Sequence, residues 1–408
     1  MVRGSASGQA AGLSDRAICL KAGLPEIPER LLLAHARGEV LFIAGAGVSQ
    51  PSNLPSFRGL VLRVYEQLDS AVHAVIKDAP SSACNQWHCD LNGLTDQQSA
   101  EVRRFIARDY DVVLGMLERR IEGLPTDSSR VRKSIAEELQ KPEAKPASIH
   151  RALMRLADRG GITTIVTTNF DLLLEGAASG LRNKVQTYAL GGIPRPGRRR
   201  DFAGVLHIHG ALPRNRERAS DLVITDQDFG EFYLRRRVVP DFIYDAARLF
   251  NLVLVGYSAN DPPMRYLLNA VAADGTRFDD LKERFTFVGA SACDSVNLED
   301  WKGRGITPIS YDPSDEHAVL GQTLERWAAL SAINGKEAFI DSEVRRIARQ
   351  KRSAADDADR DLFDHLIRRS NFNERARLAS LAANCKAEIG WLDAIVAVSN
   401  ERVGDYPR

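Results

Sequence analysis

EVLFIAGAGVSQPSNLPSFRGL, running from Glu39 to Leu60, decides how this chain is read. The apolar run Val40 to Ala44 stops at Gly45-Ala46-Gly47-Val48-Ser49, the way a buried parallel strand turns into a loop whose backbone can approach a phosphate closely. A Cβ at the glycines would block both the turn and a ligand. As a fragment it is an incomplete dinucleotide fingerprint, because Gly47 is followed by Val-Ser-Gln and the third glycine is missing. A plain strand-to-helix turn also accounts for it, so its meaning depends on the strands that follow.

Working outward, Pro28 to Arg37 (PERLLLAHAR) predicts a short amphipathic helix leading into that strand. Helical spacing follows over 60–76, 99–123, 128–140 and 148–161, the last with Ser148 as N-cap and Gly160-Gly161 as its stop. Strand rhythm returns at Ile162–Thr168, ending in Asn169-Phe170-Asp171, then at Val205–Gly210 (VLHIHG) and at Asn251–Val255, ending in Gly256-Tyr257-Ser258. Phe285–Val288 and Ile306–Ser310 close the series, with helices near 171–180, 228–249 and 262–273 between strands. Such alternation predicts an α/β fold, a doubly wound, mostly parallel Rossmann-like sheet. In these sheets ligands lie outside the carboxyl ends of the strands. Gly45-Ala46-Gly47, Asn169 with Asp171, His209, and Gly256 with Ser258 all fall on that edge.

The expected organisation is a flexible segment over 1–27, a catalytic domain over 28–330 with a helical insertion at about 60–147, and a helical module over 331–408. That last module suits oligomer or partner contact better than chemistry. With 408 residues, 44% hydrophobic and 27% charged, the composition is that of an ordinary soluble protein. The net charge of +1 argues against direct nucleic-acid binding or an anionic membrane partner. No apolar run is long enough for a membrane span or a secretory signal. Cys19, Cys84, Cys89, Cys293 and Cys385 form no disulfide framework, which points to a reducing, cytoplasmic setting. Cys84, His88 and Cys89 have no second pair of ligands at a suitable distance, so no metal is expected there. The basic loop at Arg195 and Arg198-Arg199-Arg200 reads as a solvated turn.

The chemistry of the strand-end edge follows from residue type. A glycine turn beside a helix N-terminus would hold a pyrophosphate through N–H groups, with a hydroxyl from Ser49 and a bidentate charge from Arg58. Gly256 and Ser258 supply a second cradle, which fits a dinucleotide. Asn169 orients a ribose hydroxyl or a water, Asp171 accepts from an amide or balances a developing cation, and His209 is the natural general base. Together they suit cleavage of a glycosidic bond through a cation-like transition state. The plainer readings are an N-cap for Asn169-Phe170-Asp171, a turn residue for His209, a structural role for His207, and a turn with N-cap at Asn260-Asp261-Pro262-Pro263.

GAGVS (45–49) with LPSFR (54–58), TTNFD (167–171), HIHG (207–210) and GYS (256–258), in this order, resemble the motifs of the sirtuin superfamily. The likeness covers about residues 28–312. It implies NAD as ligand, with His209 as base acting on the ribose, Asn169 holding the ribose or the attacking water, and Asp171 contacting the nicotinamide amide. It also implies that Gly45, Ala46, Gly47, Ser49, Arg58, Gly256 and Ser258 bind the phosphates and riboses, and that Phe57 shields the reactive carbon. Sirtuin deacylases follow the histidine with two C-x₂-C pairs for zinc, whereas here the next cysteine after His209 is Cys293 and Thr168 replaces the usual Gln. With the long helical insertion, these departures resemble bacterial sirtuin-like NAD hydrolases of antiphage defence, in which water replaces the acyl-lysine. The resemblance therefore implies an NAD glycohydrolase that acts as a homo-oligomer and with an operon-encoded ATPase, helicase or Argonaute-like partner. The alternatives are a protein deacylase or ADP-ribosyltransferase, and a non-catalytic NAD or ADP-ribose sensor.

Overall fold

The computed structural model describes residues 16–80, 89–123, 129–180, 184–197, 201–212, 222–256, 268, 281–290 and 295–401. Strand β1 (Ala17–Cys19) pairs antiparallel with β2 (Glu26–Pro28), placing Ile18 opposite Ile27. Both side chains and Leu20 are buried. Within the segment expected to be flexible over 1–27, residues 17–27 are folded: three apolar side chains hold them against the core, although their spacing is too short for a periodic signal. Helix α1 (Glu29–Ala36) then leads into β3 (Val40–Ala44), every residue of which is buried.

β3 is the centre of a seven-stranded parallel sheet. Its other strands are β4 (Thr164–Thr167), β5 (Thr187–Ala189), β6 (Gly204–His207), β7 (Asn251–Val255), β8 (Arg284–Gly289) and β9 (Thr307–Tyr311), in the order β5-β6-β4-β3-β7-β8-β9. The fold is thus the expected doubly wound α/β sheet. The chain leaves β3 to build one flank through β4 and returns to build the other through β7, so the order reverses beside β3 and opens a crevice at its carboxyl end. Register fixes the level of that edge, with Ala44 opposite Thr167 on one side and Val255 on the other.

Alternate residues of each strand enter two different cores, as a pleat requires. Phe42, Ile165, Val253 and Phe285 face one layer; Leu41, Ile43, Val166, Leu252 and Leu254 face the other. In the first layer Trp327 meets Phe42 and His35 edge-on, with ring centroids 5.6 and 5.1 Å apart. The C-terminal helices join this same layer, since Phe363, Leu366 and Trp391 belong to one continuous core with the sheet. A buried ionic cluster ties them to α1: Glu29 Oε1 accepts from Arg368 Nη1 at 2.6 Å and from His365 Nδ1 at 3.0 Å, and Arg368 also binds Glu401 through two nitrogens.

The helical insertion has its own core and is more broken than periodicity suggests. The 60–76 pattern divides into α2 (Phe57–Leu68) and α3 (Ser70–Ile76) at Asp69, whose carboxylate accepts from Val72 N–H and pairs with Arg120. The 99–123 pattern divides into α4 (Asp96–Ile106) and α5 (Tyr110–Glu122) around Arg108, which has φ 66°. Next come α6 (Arg130–Leu139) and α7 (Ser148–Leu156), in which Ser148 is the first helical residue and the cap position falls to Ala147. Helix α8 (Leu173–Ala177) follows β4, and the helix expected over 228–249 is instead α9 (Asp226–Phe229), a π-helical stretch Gly230–Arg235 and α10 (Val238–Leu249). Of the helix expected at 262–273, only Leu268 is among the described residues. Among the described residues no helix is long and apolar enough to cross a membrane.

Candidate active site

The glycine loop is held by the neighbouring strand rather than left open. Gly45 N–H donates to Val255 O at 2.9 Å and Gly47 N–H to Gly256 O at 2.8 Å, while Val48 and Ser49 N–H turn back on Gly45 and Ala46 carbonyls. Four of the five loop amides are thereby used within the protein. The loop forms short 3-10 turns at Ala46–Val48 and Gln50–Ser52, and the first α-helix starts only at Phe57. The expected helix N-terminus beside the glycines is therefore absent, and Ala46, which is exposed, is the one residue of the five whose N–H makes no backbone bond among the described residues. The glycines serve each other: a Cβ on Gly47 would stand 2.9 Å from Gly256 O, and one on Gly256, which has φ +60°, would stand 2.5 Å from Val48 N. Two strand-end loops touch backbone to backbone here, which requires glycine on both sides.

The polar wall stands next to this contact. Asn169 Nδ2 donates to Gly45 O at 3.1 Å and to Ser49 Oγ at 3.0 Å, and Ser49 Oγ donates to Asp171 Oδ2 at 2.9 Å. Both Asn169 amide protons are spent, so what this side chain presents to a ligand is the acceptor Oδ1. Asp171 Oδ1 accepts from Leu173 N–H in an Asx turn just ahead of α8, whose N-cap residue is Leu172 with no side-chain cap, so neither Asn169 nor Asp171 is the N-cap of the plainer reading. Burial raises the Asp171 carboxyl above the usual range, against the Leu173 and Ser49 hydrogen bonds, which act to lower it. Thr167 Oγ1, not singled out in the sequence, donates to Ala44 O and accepts from Asn169 N–H, locking the ends of β3 and β4 together.

His207, on the last residue of β6, is fully buried. Its Nδ1 lies 2.7 Å from Asn169 O and its Nε2 2.9 Å from Glu175 Oε1, which gives it the structural role expected of it and makes it the support of the Asn169 turn. His209, two residues on, is also buried, at 5% exposure. Its Nε2 is 2.6 Å from Tyr233 Oη, and the rings of Phe229 and Tyr233 meet it edge-on at 5.4 and 5.8 Å. Burial among these rings lowers its pKa from 6.5 to about 3, so the imidazole is neutral, as a base must be.

Other expected contributors lie elsewhere. Arg58 donates from Nη2 to Ala79 O at 2.6 Å and its guanidinium sits 5.4 Å from the Phe105 ring, so it ties α2 to the insertion and not to the glycine loop. Phe57 packs edge-on against Tyr110, 6.0 Å away, in that same layer. Residues 50–56 separate these residues from the loop, and both side chains turn to the insertion. Ser258, Cys84, His88, Arg198-Arg199-Arg200 and Asn260-Asp261-Pro262-Pro263 lie outside the described residues. Among the described residues no group of three or more His, Cys, Asp or Glu side chains is arranged to hold a metal ion. The contacts of Phe229 and Tyr233 with His209 were missed, although Thr225-x-x-Asp228 is a capping box and the two aromatics are four residues apart.

Residues 163–309 match the family model described as "SIR2-like domain". A protein of Sinorhizobium fredii (strain NBRC 101917 / NGR234) described as "Uncharacterized protein y4cA" is 35% identical over 315 residues, covering 75% of this chain and 24% of its own length. The chain therefore spans about a quarter of that relative. Among solved structures, one described as a complex of a Sir2 homolog with NAD aligns at 15% identity over 78% of this chain and 98% of its own, with a TM-score of 0.36. Another, described by the mechanism and regulation of Sir2 enzymes, aligns at 16% identity over 74% and 97%, again with a TM-score of 0.36. The match places a SIR2-like domain over the part of this chain that runs from β4 to the start of β9.

Proposed function

We propose that the protein is an NAD glycohydrolase that cleaves NAD to nicotinamide and ADP-ribose. The observation that supports this reading is that Asn169, Ser49 and Asp171 are bonded together beside the Gly47–Gly256 contact at the carboxyl ends of β4, β3 and β7, while His209 follows the carboxyl end of β6, the strand next to β4. In the proposed reaction the bond between ribose C1′ and the nicotinamide nitrogen breaks, and its electron pair leaves with the nicotinamide. Water supplies the new C1′–O bond, and its proton passes by way of His209 to solvent. Asn169 Oδ1 accepts from the water or a ribose hydroxyl and sets its direction of attack, where positioning counts for more than covalent chemistry. Asp171, held by Ser49, faces the amide or the developing positive charge.

Hydrolysis is favoured over acyl transfer because residues 210–292 contain no cysteine, while the segment 222–235 covers His209 with Phe229 and Tyr233. A defence role, a homo-oligomer, and activation by an ATPase, helicase or Argonaute-like partner belong to this proposal. The test is nicotinamide release from NAD by the purified protein without any peptide. Asn169→Ala and His209→Ala are each expected to reduce it by about a hundredfold or more. Full activity in both variants, or release that depends on an acylated peptide, would overturn the reading; tight NAD binding with no turnover under any condition would make the protein a sensor.

A further inference from the structure

His209 has two ring nitrogens, and the structure treats them differently. Nε2 is engaged by Tyr233 Oη at 2.6 Å. Nδ1 has no protein partner among the described residues, and it is not one of the polar atoms sealed from solvent without a partner. A neutral imidazole carries one N–H and one lone pair, so the Tyr233 contact selects between two tautomers. If the phenol donates to Nε2, the proton lies on Nδ1 and the open side of the ring has no lone pair to offer. If Nε2–H donates to the phenol oxygen, the Nδ1 lone pair is free to take a proton. Only the second arrangement is a base toward a ligand, because Nε2 is covered.

We propose that Tyr233 is a positioning residue that accepts the Nε2–H of His209, fixes the Nδ1-unprotonated tautomer and makes Nδ1 the atom that receives the substrate's proton. This rests on the reading of His209 as a base given above. When Nδ1 is protonated, the same phenol oxygen still accepts from Nε2–H, so the orientation is kept through the step. Tyr233 is held in place from two directions. Its π-helical stretch follows α9, whose Thr225–Asp228 capping box is clamped by Arg132, with Nη2 2.9 and 3.0 Å from the Asp228 oxygens. Arg119 pairs with Asp226 at 3.1 Å. Both arginines belong to the helical insertion, which thus braces the segment that orients the histidine.

The test uses the full chain with ¹⁵N-labelled histidine, the His209 ring signals being identified by their loss in His209→Gln. The expected wild-type spectrum shows a protonated Nε2 and an unprotonated Nδ1, and Tyr233→Phe, which keeps the ring packing, shifts the population toward the other tautomer. In the nicotinamide-release assay Tyr233→Phe is expected to lower kcat by about tenfold or more with KM within about twofold. A protonated Nδ1 in the wild type overturns the proposal, as does a Tyr233→Phe variant that turns over faster than wild type, since the phenol would then be a plug. If neither protein releases nicotinamide, the glycohydrolase reading fails while the ring signals still decide the tautomer.

Discussion

On the β3–β4 side of the crevice, Asn169, Ser49 and Asp171 exchange hydrogen bonds of 2.9 to 3.1 Å, while on the β6 side the His209 side chain has one hydrogen bond among the described residues and an enclosure of aromatic rings. Geometry on the first side is set by donors and acceptors that satisfy one another, on the second by shape and exclusion of water. The two constructions tune charge in opposite directions. Burial keeps the imidazole neutral by disfavouring its cation and raises the Asp171 carboxyl by disfavouring its anion. A crevice with a neutral base and a reluctant carboxylate leaves room for a positive charge to develop without being preceded by one.

The largest expected effect is on acid stability. His209 at about 3, with buried His35 and His150 at about 4, all stay neutral in the folded chain where the unfolded chain takes up protons. Stability is therefore complete above the unfolded value near 6.5 and is lost as pH falls through it, each histidine costing on the order of 2 kcal/mol at pH 5 relative to pH 7. Asp171 has the opposite sign, because a raised carboxyl penalises folding as pH rises through its folded value. Urea midpoints at pH 7 and pH 5 check the sum, and His209→Gln is expected to flatten the slope by one histidine's share. An unchanged slope would break the contrast between the two sides.

Gly256→Ala comes next. Its Cβ would stand 2.5 Å from Val48 N at a positive φ, with backbone on the other side that has nowhere to move, so a loss of about 3 kcal/mol is expected in urea unfolding. Ser49→Ala removes the hydroxyl between Asn169 and Asp171 and leaves a buried carboxylate oxygen short of a donor, at a cost of about 1 to 2 kcal/mol. The same change is expected to raise the KM for NAD more than it lowers thermal midpoint. Arg58→Ala is the mildest, about 1 kcal/mol from the lost bond to Ala79 O, with the KM for NAD unchanged. A raised KM there would return Arg58 to the crevice.

The central strands were legible because a strand buried on both faces must be apolar throughout, and β3 and β7 are. The placement of Asn169, His209 and Gly256 followed from their position just past strand ends. Helix breaks were not legible, because the one at Asp69 depends on Arg120, fifty-one residues later in the chain. β5 has three residues, too few for any alternation to register. Arg58 was misplaced for a related reason: spacing says where a guanidinium starts, and only packing against Phe105 says where it ends. Tyr233 escaped notice because its partner is twenty-four residues away.

The buried carboxylate of Glu29 carries a consequence for synthesis. Its cationic partners, His365 and Arg368, follow 336 and 339 residues later. A chain emerging from the ribosome holds an anion destined for the interior without these two partners until more than three hundred further residues have been made, so α1 cannot settle early. Nascent chains stopped short of His365 are expected to remain open to protease at α1. Such an order of assembly ties the settling of α1 to the making of the helices that carry His365 and Arg368.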